Sequence, residues 1–244
     1  MNKARKQRLD IALVDRELAE TRARAQALIL AGKVIVDGQR ADKPGYFVLP
    51  EARIEVAQPL RYVSRGGLKL EAALEQFRID VDGKVCLDVG TSTGGFTDCL
   101  LQHGAARVHA VDTGAGQIDW KLRMDARVAL HERTNARYLR FEDIGEQVDL
   151  IVCDVSFISV ALILPALAPL LKPEGDLVVL IKPQFEAGRE FIGKGGIVRD
   201  PAVHQTVCQR VSETIGALGF RTEIMPSPIT GGEGNREFLL HARR

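Results

Sequence analysis

The sequence predicts a doubly wound α/β domain preceded by a small α+β module. Three observations carry this. From about Lys69 onward, apolar strand-like runs alternate with amphipathic helical stretches, the signature of a parallel sheet covered on both faces. The first of those strands runs into a glycine-rich loop, Gly90-Thr91-Ser92-Thr93-Gly94-Gly95. The front of the chain lacks the alternation and has another charge balance: 14 Lys and Arg against 8 Asp and Glu up to Lys69, and 19 against 24 beyond it.

In the front module, Leu9, Ala12, Leu13 and Leu18 have helical spacing. Thr21 suits the cap of a second helix whose apolar face is Ala25, Leu28 and Ile29, with Gly32 ending it. VIVDGQ follows, and Asp37-Gly38 is a hairpin turn signal. Arg53–Val56 is a short strand that returns beside the first. Gln58-Pro59 marks a boundary, because proline interrupts regular structure and pushes its predecessor to an extended form. The expected division is residues 1–60 and 61–244, with a linker at about 57–64.

The second module reads as strand VCLDV, helix Phe96–His103, strand RVHAV, a helical stretch at Trp120–Asp125, strands RVALH and LIVCD, helix Val160–Leu171, strand DLVVLIK, helix Val203–Leu218 and strands FRTEIM and EFLLHA. In this architecture ligands sit beyond the carboxyl ends of the strands, so the residues just after each strand carry the information.

Composition narrows the classes. The 244 residues are 45% hydrophobic with a formal net charge of +1, which suits a folded domain plus a small second one and does not by itself select a nucleic-acid or membrane partner. The charged start, MNKARKQRLD, is not a secretory signal. The most lipid-like run, Ile158–Leu171, is interrupted by Pro165 and Pro169 and falls short of the roughly 20 residues that span a bilayer. Cys86, Cys99, Cys153 and Cys208 are widely spaced, with no His/Cys cluster at metal-ligand spacing. The expectation is a cytoplasmic protein with reduced thiols and no bound metal.

The glycine loop admits two ligand classes besides the purely structural turn. A dinucleotide fingerprint wants G-x-G-x-x-G, whereas this loop spaces its glycines G-x-x-x-G-G. A phosphate loop is also missing, since no Gly-Lys-Ser/Thr follows. Asp88, just before the loop, would repel a pyrophosphate and attract an amino group. Asp112 ends the next strand, where a carboxylate can accept from the hydroxyls of a ribose. S-adenosylmethionine therefore fits better than a nicotinamide dinucleotide.

The same sheet edge collects Asp154 directly after LIVC and Lys182 directly after LVVLI, while Glu237 begins the last strand and Lys69 leads into the domain. A helix cap and a solvated ion-pair edge is the plain reading. Their convergence at the mouth where the fold places its ligand points to chemistry.

YVSRGGLKL, LDVGTSTGGFTDCLL, ERTNAR, CDVSFIS, LIKPQFE and GGEGNREFLL together resemble the TlyA family, which joins an RNA-binding module to an FtsJ-like ribose 2′-O-methyltransferase of the Rossmann-like class I type. The front end is similar to the small RNA-binding domain named after ribosomal small-subunit protein S4. The resemblance implies a catalytic set at Lys69, Asp154, Lys182 and Glu237. It implies S-adenosylmethionine contacts at Asp88, Gly90, Gly94, Gly95, Phe96, Asp112, Asn135 and Asp154. It further implies ribosomal RNA as substrate, and some family members carry a haemolysin label, for which this sequence offers no secretion signal or long apolar segment.

The chemistry such a set must perform can be argued from first principles. Methyl transfer from a sulfonium is an in-line displacement, so the enzyme must position the acceptor and remove its proton. A lysine serves as base only when neutral, and at its reference value about one in 10³ is neutral at pH 7. Burial and a second nearby ammonium disfavour the charged form. Lys182, at the tip of a buried strand, is the candidate base, with Lys69 the alternative.

Arg5, Lys6, Arg8, Arg22, Arg24 and Lys33 on or beside the two front helices form a basic stripe suited to RNA backbone contact. Arg65 and Lys194 are expected to add to it from the second module. The glycine-rich stretch PQFEAGREFIGKGGIVRD after Lys182 reads as a mobile lid over the acceptor strand. An RNA-binding protein with an inactive methyltransferase fold is the competing reading.

Overall fold

The computed structural model describes residues 6–57, 60–232 and 234–244, so Arg5 lies outside the described residues. The chain divides into two compact units, Met1–Pro59 and Leu60–Arg244.

In the first unit, strand β1 (Gln7–Arg8) leads into α1 (Leu9–Asp15), followed by α2 (Arg22–Leu30) and strands β2 (Val34–Val36), β3 (Gln39–Ala41), β4 (Phe47–Val48) and β5 (Ile54–Val56). Strands β3, β2 and β5 form one antiparallel sheet, and β1 pairs with β4. The Thr21 side chain caps α2 by accepting the Arg24 N–H. Asp37 and Gly38 both adopt positive φ at the β2–β3 turn, as a tight hairpin turn requires. Leu9, Ala12, Leu13, Ala25 and Ile29 fill the core. Helix α1 stops at Asp15, before Leu18, which packs from the following turn.

The second unit is a doubly wound α/β domain. Its elements are α3 (Gly66–Phe77), β6 (Val85–Val89), α4 (Gly95–Gln102), β7 (Arg107–Val111), α5 (Trp120–Arg123), β8 (Val128–His131), α6 (Phe141–Ile144), β9 (Val148–Cys153), α7 (Leu164–Leu167), β10 (Leu171–Ile181), α8 (Pro183–Glu186), α9 (Pro201–Gly216), β11 (Arg221–Pro226) and β12 (Phe238–Arg243). The seven strands lie in the order β11-β12-β10-β9-β6-β7-β8. One apolar cluster covers each face: Leu87, Ile151 and Val179 pack with α9, and Val108, Leu150 and Val178 pack with α3 and α4.

Two features depart from the sequence-based expectation. Strand β12 runs antiparallel between β10 and β11, so the sheet is not wholly parallel. The β11–β12 connection is a hairpin, which antiparallel strands allow and parallel ones do not. The helix expected over 160–171 is broken into the 3₁₀ turns Val160–Leu162 and Ala168–Leu170 around the four-residue α7. Pro165 and Pro169 cause this, since each lacks an N–H and its ring clashes with the carbonyl four residues earlier. Among the described residues no helix is long and apolar enough to cross a membrane.

Strand order places the site. The chain builds β6, β7 and β8 outward in one direction, then returns to lay β9 on the other side of β6. That reversal opens a crevice at the carboxyl ends of β6 and β9.

Candidate active site

Val89, Val111 and Cys153 stand in register across β7, β6 and β9. One position beyond them come Gly90, Asp112 and Asp154, level with one another at the crevice. The backbone stitches them there: Gly90 N–H donates to the Val111 carbonyl at 2.9 Å, and Asp154 N–H donates to the Val89 carbonyl at 2.9 Å. On the far side, the last β10–β12 pair is Ile181 with Phe238. The next residue on each strand is Lys182 and Glu237.

Two ion pairs join the four candidate catalytic residues. Lys69 Nζ lies 2.5 Å from Glu237 Oε2, with the two side chains 10% and 3% exposed. Lys182 Nζ lies 2.6 Å from Asp154 Oδ1 and donates to the Ser156 hydroxyl at 2.9 Å. The Lys182–Asp154 approach is a charge contact without hydrogen-bond alignment, since Asp154 Oδ1 has no hydrogen-bond partner. Lys69 comes from the first turns of α3, held against the sheet by Leu70 and Leu74, which pack with Leu100 and Leu239. Lys69 and Asp154 line one cavity together with Arg65, Gly95, Phe96 and Gly231.

A second cavity is lined by Gly90, Ser92, Asp112, Asn135, Asp154 and Phe157, among others, and shares Gly90, Ser92 and Asp154 with the first. Asp112 is oriented by the loop backbone, its two oxygens accepting the Ser92 and Gly114 N–H groups at 2.7 Å each. Each oxygen keeps acceptor capacity toward the cavity. Asn135 Oδ1 accepts the Arg137 N–H at 3.0 Å, which leaves its amide nitrogen free to donate.

Asp88 departs from its expected place. It is fully buried beneath the loop and lines neither cavity, so it does not face a ligand amino group directly. Its Oδ2 accepts the Thr97 hydroxyl at 2.6 Å, while Oδ1 has no partner. Burial pushes its pKa up to about 7, against the opposing hydrogen bond from Thr97. Gly94 likewise sits behind the loop, in a left-handed conformation at the start of α4.

The basic residues of the first unit do not form one free stripe. Asp10 is buried, and Arg8 meets it through two hydrogen bonds of 3.0 Å, with Arg22 and Gln26 adding bonds of 2.9 and 2.8 Å. The Arg8 guanidinium holds the Asp10 carboxyl well below the usual range. Arg8 and Arg22 therefore serve the fold of this unit, Arg22 while itself exposed, and Lys6, Arg24 and Lys33 are exposed as well. In the second unit Arg65 and Lys194 are exposed, Lys194 at the tip of a turn closed by pairing of Gly193 with Ile197. The stretch expected to be a lid is tied down behind that turn. Buried Asn235 accepts the Val198 N–H at 3.0 Å and donates to the Gly196 carbonyl at 3.0 Å.

Several residues at the site escape sequence reasoning. Ser156 shares Lys182 with Asp154, and Phe157 adopts a left-handed φ of 66° with its ring 90% exposed and tilted against Phe185 at 5.0 Å. Only the run of polar and aromatic residues directly after a buried strand hinted at them. Burial pushes all four thiols up, Cys208 to about 11 and Cys86 and Cys99 to about 12, and no cysteine lines either cavity.

Comparison with known proteins places this geometry. Residues 62–244 match the family model described as FtsJ-like methyltransferase, and residues 7–54 match that of the S4 domain. A Bacillus subtilis protein provisionally named as the rRNA methyltransferase YqxC is 52% identical over 98% of this chain and 86% of its own. The 16S/23S rRNA (cytidine-2′-O)-methyltransferase TlyA of Mycobacterium tuberculosis is 47% identical over 98% of this chain and 91% of its own. A solved Streptococcus thermophilus structure with a provisional haemolysin name superposes with a TM-score of 0.76 at 46% identity, covering 99% of this chain and 89% of that one.

Proposed function

We propose, from the premise that this chain belongs to the FtsJ-like methyltransferase family and carries an S4 domain before it, that it methylates ribose 2′-hydroxyls of RNA with S-adenosylmethionine as donor. The substrate is ribosomal RNA, and the named relative directs the reading to cytidines in the small and large subunits. The observation that carries the reading is that each of two lysine–carboxylate pairs puts one member, Lys69 or Asp154, on the wall of a cavity at the topological switch point, while their partners Glu237 and Lys182 line neither cavity.

The residues present suit the donor. Gly90 lines both cavities at a point where a Cβ would run into the Asp154 backbone, and the loop and strand ends offer backbone amides beside an oriented carboxylate. Gly90, Ser92, Asp112 and Asn135 would hold the nucleoside part, Asp112 by accepting from ribose hydroxyls and Asn135 by donating from its amide. When bound, S-adenosylmethionine supplies a methyl group already activated on a sulfonium centre.

The protein's own part is to place the acceptor hydroxyl and take its proton. Lys182 accepts that proton at Nζ, for which it must first release its own proton to solvent, a step that the adjacent Asp154 carboxylate opposes. The product of the transfer is the ammonium–carboxylate contact with Asp154 seen in the structure, so accepting the proton restores an ion pair that the strand ends already hold in place. Ser156 fixes the direction of the amine by accepting one of its hydrogens. Lys69, locked by Glu237, presents a second cation at the cavity wall to orient the acceptor oxygen. Chemistry through a cysteine nucleophile, which needs a thiolate, is disfavoured by the raised thiols and their absence from the cavity linings.

The S4 domain, with Lys6, Arg24 and Lys33 exposed, supplies sequence-independent contact to RNA phosphates, joined by Arg65 and Lys194 of the second unit. The test is incubation of ribosomal subunits from cells lacking the enzyme with labelled S-adenosylmethionine, followed by mapping of modified riboses. Incorporation at cytidine 2′-oxygens is expected. Lys182→Ala should retain cofactor binding and lose turnover. Tight RNA binding with no incorporation into any RNA would favour an inactive binding protein instead.

A further inference from the structure

The excursion that follows Asp154 is built without regular secondary structure as far as the 3₁₀ turn at Val160, and it passes through the left-handed Phe157. Something must hold it, because Asp154 and Ser156 on it set the position of the Lys182 amine. The clamp comes from the other strand end. Lys182 is followed at once by α8, whose last residue, Glu186, is buried with 6% exposure. Glu186 Oε1 accepts the Val160 N–H at 2.8 Å, and Oε2 accepts the Ser159 hydroxyl at 2.7 Å. From α9, Arg210 donates to the Glu186 carbonyl and keeps its guanidinium 3.9 Å from Oε2.

The two segments are thus laced at three levels, in order away from the sheet: Lys182 to Asp154 and Ser156, Phe185 to Phe157, and Glu186 to Ser159 and Val160. A buried carboxyl is an expensive way to tie a loop. Burial raises the pKa of Glu186, while the Val160 and Ser159 bonds and the Arg210 charge oppose the rise. An apolar side chain packed among Val155, Ile158 and Ala187 would avoid that cost but could accept neither donor.

We propose that Glu186 is a positioning residue for methyl transfer: by clamping Ser159 and Val160 onto α8 it fixes the excursion carrying Asp154 and Ser156, and through them the Lys182 amine. This rests on the reading of Lys182 as the proton acceptor. Glu186 touches no reacting atom and acts only through that geometry.

The test is steady-state kinetics of the full chain on ribosomal subunits from cells lacking the enzyme, with cofactor Kd by calorimetry and Tm by thermal denaturation. Glu186→Gln keeps the size of the side chain and an acceptor for the Val160 N–H, but its amide nitrogen cannot accept the Ser159 hydroxyl hydrogen, so that bond survives only with its direction reversed. Its kcat should fall about 10- to 100-fold, the scale on which misplacement by about 1 Å acts, while KM for RNA, cofactor Kd and Tm stay close to wild type. Ser159→Ala should show a smaller loss in kcat. The double variant Ser159→Ala/Glu186→Gln should be no slower than Glu186→Gln alone, since both cut one clamp. A wild-type kcat for Glu186→Gln and Glu186→Ala overturns the proposal, as does a loss of kcat that only follows falling Tm or cofactor affinity, or additive losses in the double variant. Lys182→Ala is measured in parallel. Retained turnover there overturns the base assignment and the clamp with it, whereas an inactive Lys182→Ala beside fully active Glu186→Gln and Glu186→Ala removes only the positioning role.

Discussion

A methyl group on Gly90 would lie 2.2 Å from the backbone carbonyl oxygen of Asp154. The two residues sit on adjacent strands at the point where the sheet reverses direction, and Gly90 also adopts a φ of +87°. Because the obstructing atom is backbone on a central strand, neither side can yield cheaply. Gly90→Ala should therefore lower Tm well beyond the left-handed strain of about 1–2 kcal/mol, and should weaken cofactor binding. Gly116→Ala is the control, with a φ of +74° but no atom within 4 Å of the added methyl. Equal Tm losses in the two variants would show that the Asp154 carbonyl does not constrain the loop.

Much of the site was readable because burial and strand length are local properties. LIVC and LVVLI are too apolar to be anything but central strands, so Asp154 and Lys182 had to emerge at a sheet edge, and the doubly wound rule put that edge at the ligand. The partner of each lysine was not local. Lys69 and Glu237 are 168 residues apart, and no periodicity links them; they meet because α3 packs over β12, which lies between β10 and β11. Strand order is likewise invisible to alternation, which is why the antiparallel β12 escaped. Pro165 and Pro169 are visible in the sequence as interruptions of the apolar run, but apolar spacing alone does not show that the helix across 160–171 breaks at both. Glu186 reads as an ordinary polar residue, since its burial depends on the 154–160 excursion folding onto α8. In the first unit, Arg8 and Arg22 looked like free cations because nothing local marks Asp10 as buried.

The buried Asp88 gives the second unit a pH dependence with a definite sign. Its folded pKa is raised to about 7, above the ordinary carboxylate value of about 3.9, so between about pH 4 and pH 7 the folded state holds a proton that the unfolded state has released. Stability should fall as pH rises through that window and level off above it, by at most about 4 kcal/mol. Asp88→Asn removes the ionisable group and keeps an acceptor for the Thr97 hydroxyl. Urea midpoints at pH 5 and pH 8 should differ less for the variant than for wild type, because the variant lacks the loss that deprotonation of Asp88 causes. An identical pH dependence in both proteins would show that Asp88 is not the group responsible.

The Lys69–Glu237 pair separates structure from chemistry. Both side chains are nearly buried, so removing one charge strands the other. Lys69→Met alone should cost about 3–5 kcal/mol, as breaking a buried pair does. Pairing it with Glu237→Gln should recover much of that, read as a partial return of the urea midpoint. Methylation should not return with it, because the double variant has lost the cation at the cavity wall. Full activity in a restabilised double variant would reduce the pair to a structural role.

In the first unit, the basic residues should split into two classes by what they touch. Arg8 partners the buried Asp10 through two hydrogen bonds, so Arg8→Ala should lower the stability of that unit, read as a fall in Tm. Arg24 and Lys33 are exposed, and neither side chain has a protein partner among the described residues. Arg24→Ala and Lys33→Ala should leave Tm unchanged while weakening RNA binding about equally across sequences. Each should also reduce the slope of log affinity against log salt by about one, as loss of a single phosphate contact does. Filter binding of ribosomal RNA across a salt series, read beside thermal denaturation, distinguishes the classes. If Arg24→Ala and Lys33→Ala leave both affinity and salt slope intact, these two side chains do not contact RNA and the contact must come from other cations.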